Sequence, residues 1–428
     1  MCESIIAQCN HAAQQGHMKL MDKKTSLVKR QYTEWPYPEP IENIEVWKTM
    51  GSGLQPDLKN DHFLLWPERS YNPRLSILIA GCGTMEAAVE AYNHPQMSVL
   101  GIDLSQTSLE HNAMLKKKHN LKNLELKQMD LRDVASLGRK FDLIISYGVI
   151  HHLPEPQLGL MALSSVLQDN GVIFLTLYGK YFRLGVSMLQ EALRLLKVGQ
   201  TQNDIDFTRG ILESLPPYHP LQPYVQNAND LHFDAGIVDT FLHPQETVFS
   251  VRDILALAAN SNLNFQGWYD NLFYYPDGAL HHNQPLLQRI ASLPEQEQWA
   301  VLELLVPPPS GHAFMLRRSS GERNYNIRFD DESFKHLVPT LRHRLRVSDE
   351  NGATTIKREW HKETLTKIER DIFLSVDGKL TIGDIVTRHG ETTTEPLETA
   401  RLFFSRMWRL GHMNFQKPRK RLCWRGRQ

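Results

Sequence analysis

The feature that most constrains the fold is an apolar run that ends in glycines. Residues Leu75–Ala80 read LSILIA, a continuous apolar stretch typical of a buried strand in a parallel sheet. Gly81, Cys82 and Gly83 follow directly. Glycines at such a turn let the backbone bend sharply and let a ligand approach closely, with the N–H groups of a helix beyond. The segment therefore predicts a strand, a ligand-binding turn and a helix.

The same order of strand and helix repeats along the chain. Short links between alternating strands and helices imply a parallel sheet that is covered on both faces. We expect an α/β fold, a Rossmann-like doubly wound sheet of seven strands. The predicted strands are Leu75–Ala80, Ser98–Ile102, Leu124–Met129, Phe141–Ser146, Val172–Leu177, Leu263–Tyr269 and His312–Arg317.

The chain is too long for one ordinary hydrophobic core, so more than one domain is expected of its 428 residues. The N-terminal arm is expected to be mainly irregular with some helix. It ends in a proline-rich strap, Gln31–Pro40, which carries Tyr32 and Tyr37, and we interpret these two as lid residues. The predicted parts are the arm at 1–70, the sheet domain at 71–318 with an insertion at about 178–249, a small, mainly α, winged-helix-like domain at 331–415, and a basic tail at 416–428.

Charge is uneven although the formal net charge is zero. From Arg317 to Gln428 there are 24 Lys and Arg residues against 15 Asp and Glu residues. A basic tail is often a solvated end, and it can also hold an acidic partner or nucleic acid. No apolar stretch approaches the roughly 18 residues of a membrane span, and the first residues do not have the pattern of a secretory signal. With four scattered cysteines, we expect a cytoplasmic protein without a disulfide framework.

The second predicted strand ends in Gly101, Ile102 and Asp103, about twenty residues after the glycine turn. A carboxylate at that position is placed to accept hydrogen bonds from both hydroxyls of a ribose. The glycine turn and the acid together predict a ligand that contains adenosine. Two kinds of cofactor meet this condition, nicotinamide dinucleotides and S-adenosylmethionine. The dinucleotide fingerprint GxGxxG requires a third glycine, and Glu86 stands in its place.

The downstream segments resemble class I S-adenosylmethionine-dependent methyltransferases. IAGCGT, GIDLS, MDL and FDLIISYGVIHHL are similar, in order, to the four motifs of that family, and the likeness covers about 245 residues. SVRDIL at Ser250–Leu255 and SVDGKLTIGDI at Ser375–Ile385 are similar to a bacterial subgroup with an accessory C-terminal domain like that of bacterial protein-lysine methyltransferases.

The resemblance implies S-adenosyl-L-methionine as cofactor and assigns the residues that would bind it. The methionine part of the cofactor would lie along Ala80, Gly81, Cys82 and Gly83, and its end would be lined by Ser146 and Tyr147 of the fourth strand. The ribose and adenine would be held by Asp103 and Leu104. The adenine amino group would be contacted by Asp130 and Leu131.

Methyl transfer needs an aligned acceptor and, for some acceptors, removal of a proton. Candidates for this role are His152, Tyr178, Asp239 and His243, which we expect to converge over the carboxyl edge of the sheet. Asp239 and His243 are four residues apart, so on a helix they would share a face and could form a structural ion pair instead. Histidines at 151 and 152 also fit a loop-shaping role. No third ligand stands at a suitable spacing, so no metal is expected.

The leading hypothesis is a methyltransferase (EC 2.1.1.-) that acts on a protein side chain or a small metabolite. Three alternatives remain open on sequence. The basic C-terminal module could bind nucleic acid as the methyl acceptor. The fold could also serve a non-catalytic regulatory or scaffold protein that binds S-adenosylmethionine. A nicotinamide oxidoreductase would use the same turn and acid.

Overall fold

The computed structural model describes residues 16, 20–49, 57–278, 280, 283–309, 311–319, 325–342, 345–350, 353–358, 361–389 and 395–418. These residues form two compact units. The sheet unit contains the described residues up to 49 together with 73–265 and 307–319. The C-terminal unit contains those of 57–72, 266–306 and 325–418. Most of the predicted basic tail, from residue 419 onward, lies outside the described residues.

The sheet unit is built on the predicted seven-stranded sheet, with strand order β3-β2-β1-β4-β5-β7-β6. Its central strands are apolar throughout because both faces of the sheet are covered; Ile77, Leu78 and Ile79 are fully buried. β7 runs antiparallel to β5, so the sheet is mixed and not purely parallel as predicted. The strands are β1 Ser76–Ala80, β2 Ser98–Asp103, β3 Leu124–Gln128, β4 Phe141–Tyr147, β5 Leu167–Tyr178, β6 Leu263–Trp268 and β7 Gly311–Arg318.

Helices flank these strands, and local sequence explains where several of them begin. The Ser105 side chain accepts a hydrogen bond from the N–H of Ser108, and Ser250 forms a capping box with Asp253, as the sequence predicts. In chain order the helices to residue 260 are α1 at 20–34, α2 Ile44–Thr49, α3 His62–Leu65, α4 Glu86–Asn93, α5 Gln106–Lys118, α6 Pro156–Ser165, α7 Leu184–Leu195, α8 Gln202–Ser214, α9 Gln222–Val225, α10 Asp234–Phe241 and α11 Val251–Asn260.

Helices form in two segments whose structure the sequence leaves largely open. The N-terminal arm contains α1, and Tyr32 lies in its last turn. The region from residue 198 to 244 contains α8, α9 and α10, whose apolar faces pack on α7 in a small core that includes Ile205, Leu221 and Ile237. The prolines and polar residues of this region begin helices: Pro223 is in the first turn of α9, and Thr201 forms a capping box with the third residue of α8.

The C-terminal unit contains the three predicted helices and five further strands. The helices are α14 Lys367–Leu374, α15 Ile382–His389 and α16 Pro396–Arg409. The strands β9 Arg346–Glu350, β10 Ala353–Arg358 and β11 His361–Thr364 form one antiparallel sheet, and β8 Val338–Leu341 pairs with β12 Met413–Gln416. These short strands were not predicted because sequences such as RVSDE lack an apolar alternation. The winged-helix-like detail is not confirmed.

The boundary between the units also differs from the predicted one. Residues 266–306, which were expected to belong to the sheet domain, group with the C-terminal unit. They contain the helices α12 Gln284–Ala291 and α13 Glu295–Leu305 and an aromatic cluster in which Trp268 stacks on Tyr274 at 3.8 Å and meets Trp299 edge-on. Among the residues described, no helix combines the length and apolar character that a membrane crossing requires.

Candidate cofactor and acceptor site

A cavity of about 320 Å³ lies at the carboxyl ends of β1, β2, β4 and β5 in the sheet unit. This edge is where open α/β sheets bind ligands, because the helices that follow the strands leave a crevice there. Most of the residues predicted to bind cofactor or acceptor line the cavity. They are Tyr32, Tyr37, Gly81, Gly83, Asp103, Leu104, Asp130, Leu131, Tyr147, His152, Tyr178 and Asp239.

The turn after β1 requires glycine at two positions. Gly81 has a φ of +76°, and a Cβ added there would lie 2.4 Å from Val149 Cγ2. Gly83 has a φ of +49°, and a Cβ there would lie 2.9 Å from the carbonyl oxygen of Tyr37. Both the backbone conformation and the space exclude a larger residue. The turn therefore forms a wall of bare backbone that a ligand can approach closely.

Asp103, at the end of β2, is tied to this turn. Its Oδ2 accepts a hydrogen bond from the N–H of Gly83 at 2.9 Å, and its Oδ1 accepts one from the N–H of Ser105 at 2.8 Å. Burial raises the pKa of Asp103, while these N–H donors act in the opposite direction. A buried carboxylate that faces the cavity and already holds the turn in place is suited to accept hydrogen bonds from ribose hydroxyls.

Asp130 lies after β3 and begins the 3-10 helix Leu131–Leu137. Its Oδ1 accepts from the backbone N–H of Arg132 at 2.8 Å, and its Oδ2 accepts from the Arg132 guanidinium at 2.7 Å. Nε of Arg132 also donates to both oxygens at 3.1 Å, so Arg132 already occupies this carboxylate, and a hydrogen bond from an adenine amino group to Asp130 stays a prediction. Leu104 and Leu131 provide apolar lining beside the two acids.

Three predicted cofactor residues lie behind the turn and are not in the cavity lining. Ser146 is buried, and its hydroxyl donates to the carbonyl of Ala80 at 2.9 Å. The Cys82 side chain is also fully buried, although the cavity was predicted to receive it. These residues support the turn from within the sheet. Their contact with a cofactor stays a prediction.

Asp239, on α10, organises the opposite end of the cavity. Tyr32 donates its hydroxyl to Oδ1 at 2.8 Å, and Tyr178 donates to Oδ2 at 3.2 Å. Burial raises the pKa of Asp239 to about 6, and the two tyrosine hydrogen bonds moderate that rise. Tyr37 donates to Asp230 at 3.0 Å. The structure thus joins the predicted strap, β5 and the insertion at one carboxylate.

The predicted histidines meet here as a stacked pair. The rings of His152 and His243 lie 3.8 Å apart. Nδ1 of His152 is 3.1 Å from the carbonyl oxygen of Gln245, which can only accept, so this nitrogen carries the proton and Nε2 keeps its lone pair. Burial lowers the pKa of His152 to about 4, so the ring is neutral at pH 7. The alternative that Asp239 and His243 form an ion pair is not supported, because the Asp239 carboxylate accepts hydrogen bonds from Tyr32 and Tyr178 instead.

The fold brings together three side chains that can each offer a metal ligand. One atom from each of His152, Asp239 and His243 lies within 4.8 Å of the others. The expectation that no third ligand stands near the histidines was therefore wrong, because the insertion folds back onto the loop after β4 and brings Asp239 and His243 close to His152. Nδ1 of His243 accepts from the N–H of Gln245 at 3.1 Å, so Nε2 of the neutral ring is protonated and cannot ligate. The absence of a metal stays a prediction.

Two site residues were missed by the sequence reasoning. The Arg183 guanidinium lies 3.7 Å above the ring of Tyr178, and it donates to both carboxylate oxygens of Glu246 at 3.0 and 2.9 Å. No spacing signal connects two residues that are 63 positions apart. The second is Pro38, for which the sequence predicted no role beyond the strap. Its carbonyl accepts a hydrogen bond from the Thr84 hydroxyl at 2.7 Å, and this bond holds the strap against the glycine turn.

The strand order with a reversed seventh strand, the glycine turn after β1 and the acid after β2 are similar to those of class I S-adenosylmethionine-dependent methyltransferase domains. The cofactor of this class is S-adenosyl-L-methionine. Comparison with known families agrees, since residues 72–208 match a family model described as "Methyltransferase domain".

Among curated proteins, the chain is 30% identical over 253 residues to an uncharacterized protein of Synechococcus sp., covering 58% of this chain and 61% of that one. It is 24% identical over 122 residues to the ubiquinone biosynthesis O-methyltransferase of Neisseria meningitidis serogroup C, covering 28% of this chain and 51% of the relative. The chain thus spans less than two thirds of the length of these curated relatives.

Among solved structures, PKMT2 of Rickettsia typhi in complex with AdoHcy is similar in fold. The TM-score is 0.62 with 15% sequence identity, and the match covers 83% of this chain and 75% of that one. At this identity the likeness concerns the fold, and it extends well beyond the residues of the family model.

Proposed function

We propose that this protein transfers a methyl group from S-adenosyl-L-methionine to a protein side chain or a small metabolite. The observation that supports the proposal is a single cavity with two chemically different ends. The glycine turn and Asp103 line one end, and Tyr32, Tyr178 and Asp239 line the other. An acceptor at the second end would lie next to the cofactor at the first.

When bound, the cofactor supplies a methyl group on a sulfonium that is already activated. The residues of the chain therefore serve mainly to align the acceptor with the methyl group, because holding two reactants in the right geometry lowers the barrier to such a reaction. The hydroxyls of Tyr32 and Tyr178 are held in place by Asp239. The strap that carries Tyr37 covers the glycine turn and would exclude water, in agreement with a lid role.

Two groups at the acceptor end can take up a proton. A catalytic base works best when its pKa lies near the working pH. Asp239, with a pKa of about 6, meets this condition better than His152, with a pKa of about 4. We therefore assign Asp239 as the base for an acceptor that must lose a proton, with His152 as a neutral acceptor of hydrogen bonds.

The proposal includes the cell compartment in which the reaction takes place. A cytoplasmic location agrees with the free thiol of Cys82. The nucleic-acid alternative relied on the basic tail, most of which lies outside the described residues, whereas the cavity favours a side chain or small molecule that can enter it. A partner of either kind remains to be identified by experiment.

The test uses S-adenosylmethionine labelled in its methyl group. The purified protein is incubated with it and with fractionated cell extract, and the fraction that gains label is identified by mass spectrometry. We expect label in a protein or a metabolite fraction, and none with an Asp103→Ala variant. Specific binding of S-adenosylhomocysteine without any labelled fraction would favour the regulatory role, and loss of binding as well would overturn the proposal.

A further inference from the structure

Three potential metal ligands converge in the C-terminal unit. His361 and Glu363 are two residues apart on β11, so their side chains leave the same face of the strand. His412 precedes β12. One ligand atom from each of these residues lies within 4.8 Å of the other two. The group is independent of the cofactor cavity and of the proposed function.

Within the part of the chain that the structure describes, each residue of this group has a buried polar atom without a hydrogen-bond partner. His412 is fully buried, and neither of its ring nitrogens has a hydrogen-bond partner among the described residues. In the same part of the chain, His361 Nε2 and Glu363 Oε2 also have none. These last two atoms are 3.7 Å apart, which is beyond hydrogen-bond distance. Buried polar atoms are almost always satisfied, so a group in which each of the three residues has at least one such unpaired atom requires a common partner.

The backbone fixes the position of His412. α16 ends at Arg409, and Gly411, two residues further on, has a φ of +65°, which favours glycine. The N–H of His412 donates to the carbonyl of Met407 at 2.9 Å, and the carbonyl of His412 accepts from the N–H of Arg342 at 3.1 Å. The backbone that carries the imidazole is therefore held by hydrogen bonds on both sides.

The surrounding charges permit a cation. Arg406 pairs with Glu363 and Glu369, Arg358 pairs with Asp270, and Arg342 pairs with Asp61. Each of the three guanidinium groups is thus paired with at least one carboxylate, and Oε2 of Glu363 remains without a hydrogen-bond partner among the residues described. A neutral imidazole is the form that binds a metal ion.

We propose that His361, Glu363 and His412 form a binding site for a divalent transition-metal ion, with Zn²⁺ as the preferred one. Two imidazoles and one carboxylate are a known zinc ligand set with an open fourth position, whereas Mg²⁺ and Ca²⁺ prefer oxygen ligands. Metal–ligand distances of about 2.0–2.2 Å place neighbouring tetrahedral ligands roughly 3.4 Å apart. The separation of 3.7 Å between His361 Nε2 and Glu363 Oε2 requires little adjustment. The ion would link β11 to the start of β12.

The experiment uses the full chain after removal of metal with a chelator. Co²⁺ is titrated in, and its tetrahedral visible absorption bands report on coordination, while elemental analysis counts Zn²⁺ after dialysis. We expect the wild-type chain to retain one equivalent of ion more than the His361→Gln and Glu363→Gln variants. His336→Gln, which changes an exposed histidine of the same unit, should behave as the wild type.

Two further measurements make the result decisive. Binding of S-adenosylhomocysteine and circular dichroism show whether each variant is folded, and Glu363→Gln keeps the shape of the side chain if a histidine variant fails to fold. A His243→Gln variant shows whether any ion is held in the sheet unit instead. The proposal is overturned if the wild-type chain retains no ion, or if the folded Glu363→Gln variant retains as much as the wild type. Buried water would then satisfy these atoms.

Discussion

Two carboxylates define the ends of the cavity, and their environments differ. Asp103 accepts hydrogen bonds from two backbone N–H groups that belong to the glycine turn and to the start of α5. Asp239 accepts from two tyrosine hydroxyls that come from distant parts of the chain. The first environment suits the holding of a neutral, hydroxyl-bearing ligand. The second suits a group whose protonation changes near neutral pH.

An Asp103→Ala variant is expected to bind S-adenosylhomocysteine about a hundredfold more weakly or worse. Two charge-assisted hydrogen bonds to the ribose would be lost, each worth roughly 1.5–3 kcal/mol. Isothermal titration calorimetry measures the effect. Asp169→Ala, which removes an exposed acid from the same unit, is the control. An unchanged Kd for Asp103→Ala would contradict the assignment of the ribose site.

The pH dependence of methyl transfer is expected to report Asp239. Its pKa is raised to about 6, so the carboxylate forms as the pH rises through that value, and kcat/KM should rise with it. His152, with a pKa of about 4, is already neutral in this range. An Asp239→Asn variant should lose the inflection near pH 6 together with most activity. Persistence of that inflection in the variant would show that another group causes it.

A Tyr32→Phe variant is expected to move the same inflection to higher pH. The Tyr32 hydroxyl stabilises the ionised form of Asp239, so its removal raises the pKa of that carboxyl further. A hydrogen bond to a charged group corresponds to a shift of about one unit. The pH profile of the variant is compared with that of Tyr218→Phe, which removes the hydroxyl of an exposed tyrosine. A shift downward, or an equal shift in both variants, would count against the hydrogen bond.

Among the elements, the turn between β1 and α4 and the strap above it act together. The strap contacts the turn through the carbonyl of Pro38, which accepts from Thr84, and through the carbonyl of Tyr37, which lies over Gly83. The end of α1 is joined to the start of α5 by the Ser105 hydroxyl, which donates to the carbonyl of Tyr32 at 2.9 Å. The lid is therefore anchored to the loops that hold the cofactor, so the two are expected to order together.

A Gly83→Ala variant tests this coupling. Its Cβ would force a left-handed backbone on alanine and press on the Tyr37 carbonyl, so we expect a loss of about 1–3 kcal/mol in the free energy of unfolding. Weaker binding of S-adenosylhomocysteine should accompany it. Gly210→Ala is the matched control, since its Cβ would meet nothing within 4 Å in α8 and should stabilise the helix by about 0.4–1 kcal/mol. Equal stability of the two variants would contradict the close approach.

In the sheet unit as a whole, one buried ion pair closes the insertion between β5 and α11. The side chain of Arg183 is fully buried and that of Glu246 is 6% exposed, so neither charge is solvated. The two residues come from the two ends of the insertion, and Arg183 also contacts the ring of Tyr178 and the hydroxyl of Tyr224. The pair thus fixes the path of the segment that carries Asp239 to the cavity.

A Glu246→Gln variant is expected to lose roughly 3–5 kcal/mol in the free energy of unfolding, because it leaves the Arg183 guanidinium buried without a counter-ion. Urea unfolding followed by circular dichroism measures the loss. Glu191→Gln removes the partner of Arg194 in an exposed pair and should cost at most about 1 kcal/mol. Similar losses for the two variants would show that the buried pair does not hold the insertion.

Local sequence was sufficient for the positions of the seven strands and for the glycine turn and acid that line the cavity, although not for the reversed direction of β7. An apolar run followed by glycines predicts a strand and a turn from interactions between near neighbours, and Asp103 follows at a spacing that one strand–helix–strand unit sets. The capping box at Ser250 was likewise readable, because its two partners are three residues apart. Such features need no knowledge of where the rest of the chain runs.

The acceptor end could be assembled only in three dimensions. Tyr32 and Asp239 are separated by 207 positions, and the hydroxyl and carboxylate meet because the tertiary fold brings α10 to the end of α1. For the same reason, the sequence did not predict the strands of the C-terminal unit or the close approach of His361, Glu363 and His412. A residue type and a local pattern specify backbone conformation, whereas the neighbours of a buried side chain depend on the path of the whole chain, which packing determines.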